Sequence, residues 1–163
     1  MTIQLYPELL TKESFAPFGE LINAEGNAFD ANYGFAQRFN DISNMVFDAQ
    51  GGKPNISIFR SKPIAMPMKV TVMEKHELGS QAFIGIQNQS FLTLVAPAGP
   101  TIAAEDLKLF MVAAGQGVNY YPGTWHHYLI CLGNESDFLC LDRLGTEPDC
   151  KEHHFDESVI ISI

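Results

Sequence analysis

The chain has 163 residues, of which 46% are hydrophobic and 18% charged, enough for one folded domain with its own core over residues 1–163. A formal net charge of −9 and the absence of any basic run argue against a surface for nucleic acid or anionic membrane. The sequence has no apolar run near the ~18 residues of a membrane span and no signal-peptide pattern, so we expect a cytoplasmic protein.

The predicted elements begin with a short helical turn in "TKESFAPFGELI", with Thr11 as a possible cap, which leads into a strand at Glu20–Ile22. Short apolar or alternating runs follow, separated by Gly, Pro and Asn. They are "NISIFR", "KVTVMEKH", "AFIGI", "FLTLVAP", "LKLFMVAAG", "VNYYP", "WHHYLICL" and "DFLCLDR". Such spacing is typical of an antiparallel sandwich or barrel, and it predicts an all-β fold. The segment "TIAAEDLKLF" fits either a helix or a loop and strand.

Alternation along "KVTVMEKH" assigns Glu74 and His76 to the inward face that begins with Val70, and Lys75 to the outward face. In "NISIFR" the same rule places Arg60 on one face with two isoleucines. Two strands therefore deliver charged side chains to the end of an apolar face. In a barrel open at one end, these side chains would lie at the mouth, where ligands commonly bind.

The stretch "GVNYYPGTWHHYLI" carries adjacent histidines after a Pro-Gly turn. Adjacent residues of a strand face opposite ways, and alternation does not choose between His126 and His127. His153 and His154 lie in a polar segment and are expected at the surface. Three cysteines without a CxxC pair are expected to be free thiols.

The spacing resembles the cupin barrel. Its first motif, His-x-His, four residues, then Glu, here holds Glu74, His76 and Gln81. In its second motif Gly115, Gly123 and His126 match, whereas Tyr121 replaces a proline and Ile130 stands at the position of the late Asn. The substitutions of Glu for His and Gln for Glu weaken the usual metal set.

A wider pattern resembles the ureidoglycolate lyase family of allantoin degradation, in the cupin superfamily. It consists, in this order, of "FAPFGELI", "NYGFAQRFND", "NISIFRSKP", "MEKHELGSQAFI", "NYYPGTWHHYL" and "DFLCLDR…DC". The resemblance implies a cupin-type antiparallel β-barrel or sandwich with a few short helices. It also implies a cytoplasmic homodimer that splits (S)-ureidoglycolate, a small anionic substrate, into glyoxylate and urea.

This chemistry needs a base for the substrate hydroxyl, help for the leaving nitrogen and a clamp for the carboxylate. His76 is the first candidate for base or metal ligand, Glu74 for base, ligand or orienting group, and His126 for acid or ligand. Gln81 and Tyr121 are candidate substrate contacts, and Arg60 and Arg38 compete as the carboxylate clamp, Arg38 across a subunit interface.

A divalent metal, nickel by the family resemblance, could be held by Glu74, His76, Gln81 and His126, and no organic cofactor is expected. Two other functions stay open. One is an amidohydrolase that releases ammonia and carbon dioxide from the same substrate, although the dense two-metal constellation of that class is missing from the sequence. The other is a non-catalytic cupin that binds a small carboxylate.

Overall fold

Fifteen strands contain about half of the residues in the computed structural model, which describes residues 2–163, and the all-β prediction is confirmed. The strands are β1 Thr2–Leu5, β2 Glu8–Leu9, β3 Gly19–Ile22, β4 Ala28–Ala31, β5 Ala36–Phe39, β6 Lys53–Ser61, β7 Met68–His76, β8 Gln81–Gly85, β9 Phe91–Ala96, β10 Lys108–Val112, β11 Gly117–Tyr120, β12 Trp125–His126, β13 Ile130–Cys131, β14 Ser136–Leu144 and β15 Cys150–Ile161. The helices are α1 Lys12–Phe15 and three 3₁₀ turns, Asn32–Gly34, Ala49–Gly51 and Ala104–Asp106.

The strands form two main sheets, and β4 and β5 form a separate hairpin. The larger sheet has the order β1-β15-β7-β12-β9-β10-β2, with β13 paired to β9, and the smaller has the order β3-β11-β8-β14-β6. One apolar cluster contains residues of both sheets, such as Phe91 and Phe138, and therefore lies between them. A second cluster, which includes Leu94 and Trp125, packs on the opposite face of the larger sheet, under the segment around Ile102. The sandwich thus has two buried layers.

The predictions for "TKESFAPFGELI" and "TIAAEDLKLF" agree with the structure. Thr11 caps α1, because its side-chain oxygen accepts a 3.1 Å hydrogen bond from the Ser14 backbone N–H. The ambiguous "TIAAEDLKLF" forms a 3₁₀ turn followed by β10. No helix among residues 2–163 is long and apolar enough to cross a bilayer.

Three segments differ from the prediction. The polar segment "CKEHHFDES" is the first part of β15, the longest strand, which pairs antiparallel with β7. The hairpin of β4 and β5 is formed by residues in which no strand was predicted. The run "WHHYLICL" is not one strand, because β12 and β13 are separated by residues 127–129. Polar strands and short interrupted ones lack the alternation that reveals a half-buried strand.

The burial pattern of β7 shifts by one residue along its length. Met68 and Val70 are buried in the outer cluster, and so is Met73, although strict alternation puts Val70 and Met73 on opposite faces. The shift lies beside a register break in β15 between His154 and Val159. The prediction that Lys75 points to solvent is therefore wrong, since only 4% of the residue is exposed.

The inward placement predicted for the isoleucines of β6 is also wrong. Ile56 is 69% and Ile58 53% exposed, because β6 is an edge strand and their face of the smaller sheet points away from the core. Phe59 points the other way and packs edge-on against Phe83, with ring centroids 5.2 Å apart. Arg60 shares the outer face with the isoleucines.

Candidate active site and metal centre

The ends of β7 and β12 bring Glu74, His76 and His126 together. Glu74 and His126 are direct partners across the two strands, so their side chains project from the same face. The His126 Nδ1 and Glu74 Oε1 atoms are 3.9 Å apart, and the two imidazole rings are 5.4 Å apart between centroids. One donor atom from each of the three residues lies within 4.8 Å of the others.

The two histidines of this cluster have unused nitrogens. Nε2 of His76 and Nε2 of His126 are both buried and have no hydrogen-bond partner among the described residues. The ring of His126 stacks on Tyr120 at 4.4 Å between centroids, with a 5° angle between the planes. Burial, and then the neighbouring His76, lower the pKa of His126 to about 3, so its ring is neutral at pH 7. A neutral ring offers a lone pair to a proton donor or a cation.

The turn before His126 depends on glycine. Gly123 has a φ of +83° and its N–H donates a 2.7 Å hydrogen bond to the carbonyl of His76. A side chain at this φ would be strained, which explains the glycine that the second cupin motif requires here. The turn therefore ties the β12 end of the cluster to the β7 end.

A cavity of about 420 Å³ opens beside the cluster. Its lining residues are Phe59, Arg60, Ser61, Glu74, His76, Gln81, Phe83, Tyr128 and Leu129. A smaller cavity of about 80 Å³ shares two of these residues, His76 and Gln81, and adds Gly79, Ser80, Asp142, Arg143 and Asp149. The larger volume is in the range of small-molecule sites, and the polar groups converge on one side of it.

The cluster fits a divalent metal ion. Two imidazole nitrogens and a carboxylate form a donor set common to zinc, nickel and related ions, and unpartnered Nε2 atoms on buried histidines are what an absent ligand would leave. Gln81, with 8% of the residue exposed, lines the same cavity as Glu74 and His76.

The other predicted substrate contacts do not all lie at this cavity. Arg60 lines its edge, but its side chain is 69% exposed and forms two hydrogen bonds, of 2.8 and 3.0 Å, to the carboxylate of Asp137. Arg38 is exposed on β5 and lines a separate cavity with Ile84. Tyr121 is 38% exposed and lines a third cavity beside Glu20. The structure thus separates Arg38 and Tyr121 from the cluster within one chain.

Two residues near the cluster were not predicted. Tyr120 stacks on His126, and its hydroxyl lies 2.7 Å from Thr93 Oγ1 in a fully buried position. Arg143 lines the smaller cavity with His76. The signal that identified Arg60, a charged residue at the end of an apolar strand, is also present at the end of "DFLCLDR" and could have identified Arg143.

Known proteins match this chain over almost its whole length. A family model described as ureidoglycolate lyase matches residues 2–162. A ureidoglycolate lyase of Burkholderia cepacia is 44% identical over 147 residues, which cover 89% of this chain and 82% of the relative. One of Pseudomonas syringae pv. syringae is 40% identical over 159 residues, covering 97% and 94%, and one of Burkholderia mallei is 40% identical over 153 residues, covering 93% and 89%.

Proposed function

Because the chain belongs to the ureidoglycolate lyase family, we propose that it cleaves (S)-ureidoglycolate into glyoxylate and urea at the cavity beside Glu74, His76 and His126. The observation that carries this proposal is the cluster itself. Two buried, unpartnered imidazole nitrogens and a carboxylate come together, and two of the three residues, Glu74 and His76, line a cavity of a size suited to a small substrate.

The reaction requires one proton to move. The substrate carbon bears a hydroxyl, a carboxylate and a urea nitrogen. When the hydroxyl loses its proton and the C–O bond becomes a carbonyl, the C–N bond breaks and the nitrogen takes up a proton. The atoms balance without water or a covalent intermediate, and a single side chain that accepts and then returns the proton is sufficient.

Glu74 is the group we propose for this proton transfer. Its Oε1 faces His126 at 3.9 Å, and its Oε2 has only a long 3.7 Å contact with the thiol of Cys150. One oxygen can therefore stay with the imidazoles while the other takes the hydroxyl proton and delivers it to the leaving nitrogen. The role of acid expected for His126 fits less well, since its buried ring is neutral at pH 7.

His76 and His126, with Glu74, are the residues that would hold a divalent ion, with the Gln81 amide oxygen as a further ligand. Such an ion, nickel by the family resemblance, would act as a Lewis acid on the hydroxyl oxygen and favour loss of its proton. If Gln81 does not serve as a ligand, its amide is placed to hydrogen-bond the urea group.

We also propose a cytoplasmic homodimer. Phe29, Tyr33 and Phe35 of the hairpin segment are more than half exposed, as are Ile56 and Ile58 of β6, an unusual surface for a monomer. Arg38 lies on the same hairpin, so a role for it in catalysis would require a cavity of the partner subunit. Sedimentation of the purified protein tests the oligomeric state.

Product analysis tests the proposed reaction. Purified protein is given racemic ureidoglycolate, and glyoxylate, urea and ammonia are assayed separately, with and without a chelator. Equal amounts of glyoxylate and urea without ammonia are expected. Ammonia in place of urea would identify an amidohydrolase, and no turnover with divalent metals supplied would leave a cupin that only binds a ligand.

A further inference from the structure

Arg143 is partly buried and has one buried, unused donor. Its Nη2 atom is buried and lacks a hydrogen-bond partner among residues 2–163, whereas its Nε donates a 3.0 Å hydrogen bond to the carbonyl of Ala49. No carboxylate of the described residues forms an ion pair with it within 4.0 Å. An unpaired buried donor on a permanent cation is costly, so a missing anionic partner is the simplest explanation.

The two acidic side chains of the same small cavity each use one carboxylate oxygen to accept hydrogen bonds from other donors. Asp149 Oδ1 accepts hydrogen bonds from the backbone N–H groups of Glu77 and Leu78, at 2.8 and 2.7 Å. Asp142 Oδ1 accepts a 2.9 Å hydrogen bond from the Asn55 amide. Neither carboxylate lies within 4.0 Å of the guanidinium nitrogens as an ion-pair partner.

Three glycines make room for the Arg143 side chain. A Cβ atom added at Gly52, Gly79 or Gly145 would collide with Arg143 atoms: Nε from Gly52, Cβ from Gly79 and the two terminal nitrogens from Gly145. Segments from three different parts of the chain thus leave a space that this arginine fills.

The small cavity opens on to the residues of the proposed reaction. His76 and Gln81 line both the cavity of about 80 Å³ and the cavity of about 420 Å³. The smaller volume suits one carboxylate group rather than a whole substrate. Arg60, by contrast, already forms two hydrogen bonds to Asp137, and Arg38 lines a separate cavity.

We propose that Arg143 binds the carboxylate of the substrate, and that it selects for small 2-oxo and 2-hydroxy acids over their neutral amides or esters. This inference rests on the proposed function, because the carboxylate belongs to the ureidoglycolate cleaved beside His76. A planar guanidinium with a free N–H edge is suited to a carboxylate. The clamp expected at Arg60 or Arg38 is thereby assigned to the third arginine of the chain.

The test compares Arg143→Gln and Arg143→Lys with Arg60→Gln, a matched loss of a cation beside the larger cavity. We expect Arg143→Gln to raise the KM for ureidoglycolate and the Kd for glyoxylate by about 10- to 100-fold, as for a lost charge-assisted hydrogen bond. Inhibition by urea, which lacks a carboxylate, should be unchanged. Arg143→Lys keeps the charge and should be intermediate, and Arg60→Gln should shift both constants by less than about 3-fold.

Calorimetry with glyoxylate separates this inference from the proposed function, because it needs no turnover. If wild type and both Arg143 variants bind glyoxylate equally while wild type cleaves ureidoglycolate, the Arg143 assignment is overturned and the lyase stands. If wild type does not release urea but binds glyoxylate through Arg143, the lyase fails and the carboxylate site stands. Should Arg143→Gln not fold, Arg143→Lys and thermal stabilisation of wild type by glyoxylate decide the question.

Discussion

The inner and outer walls of the cavity proposed as the active site use charged residues in opposite ways. On the inner wall, Glu74 and His76 are partly buried, His126 is fully buried beside them, and both histidines keep an Nε2 atom without a partner. On the outer wall, Arg60 is 69% exposed and fully engaged with Asp137. Buried groups with unused donors or acceptors are costly to keep, so they indicate a ligand, whereas a paired exposed charge needs none. Four experiments test this contrast.

The largest effect is expected from removal of the inner carboxylate. Glu74→Gln keeps the shape of the side chain but cannot accept the hydroxyl proton, and we expect kcat to fall about 10²- to 10⁴-fold. Glyoxylate release measures it. The matched control is Glu152→Gln, which changes the residue opposite Glu74 on β15 and should leave turnover nearly unchanged. Equal turnover in wild type and Glu74→Gln would eliminate Glu74 as the base.

Metal content tests the two inner histidines. After reconstitution with Ni²⁺ and gel filtration, wild type should retain about one ion per chain, because His76 and His126 supply two of the donors. His126→Gln should lose at least about 10-fold in metal affinity by the same argument. His154→Gln, a change at an exposed histidine, is the control. Equal nickel in all three proteins would show that the cluster is not a metal site.

Lys75 tests whether a buried charge can be purely structural. Its Nζ donates a 2.7 Å hydrogen bond to the carbonyl of Gly99, lies 4.7 Å from the ring centroid of Trp125 and pairs with Glu77. In Lys75→Met the Gly99 carbonyl keeps the Trp125 N–H donor, at 3.1 Å. We therefore expect a loss of only about 1–2 kcal/mol in the free energy of unfolding.

Urea denaturation measures this loss, and Lys69→Met, at an exposed position of the same strand, is the control. Turnover by Lys75→Met should stay close to wild type, since the side chain faces away from the cavity. A large loss of turnover with little loss of stability would move Lys75 into the active site.

The smallest effect is expected at the outer wall. The hydrogen bonds from Arg60 lower the pKa of Asp137 from its ordinary value of 3.8. A lowered carboxyl pKa contributes stability that is present above pH 3.8 and is lost as the pH falls through the lowered folded-state pKa. Arg60→Gln should therefore reduce the acid sensitivity of unfolding below that pH. The pKa of Asp137, followed by NMR, should return towards its ordinary value. An unchanged pKa would mean that the ion pair does not persist in solution.

Hydrophobic alternation in the sequence predicted the position of Glu74 and His76 on the inner wall, but it predicted the faces of residues elsewhere on β7 and on β6 wrongly. It put Glu74 and His76 together on one face correctly, because β7 keeps a regular period of two over its last four residues, but it was wrong to put Val70 on that face, because the burial pattern shifts by one residue in between. The prediction for Lys75 was wrong because it assumed that only one face of β7 is buried. Lys75 lies on the other face, which the second apolar layer covers, and its Nζ contacts the ring of Trp125. Alternation failed at Ile56 and Ile58 because an edge strand can expose apolar side chains that the pattern assigns to a core.

Contacts between segments that lie far apart in the chain could not be predicted from the sequence. The space for Arg143 is made by Gly52, Gly79 and Gly145, and no local pattern shows that they meet. The stacking of Tyr120 on His126 likewise depends on strands of two different sheets. Offsets within the cupin motifs identified His126, since those offsets describe positions along the chain rather than packing between sheets.

The shift of burial within β7 restricts how this strand can change during evolution. Over the last four residues, Met73 and Lys75 are buried on the side of the outer layer, whereas Glu74 and His76 line the cavity. Deletion or insertion of one residue between Val70 and Glu74 would turn Lys75 towards the cavity, and it would turn Glu74 and His76 towards the outer layer. Deletion or insertion of two residues would keep each of these side chains on its present face. Gaps between homologous sequences should therefore be absent here or come in twos.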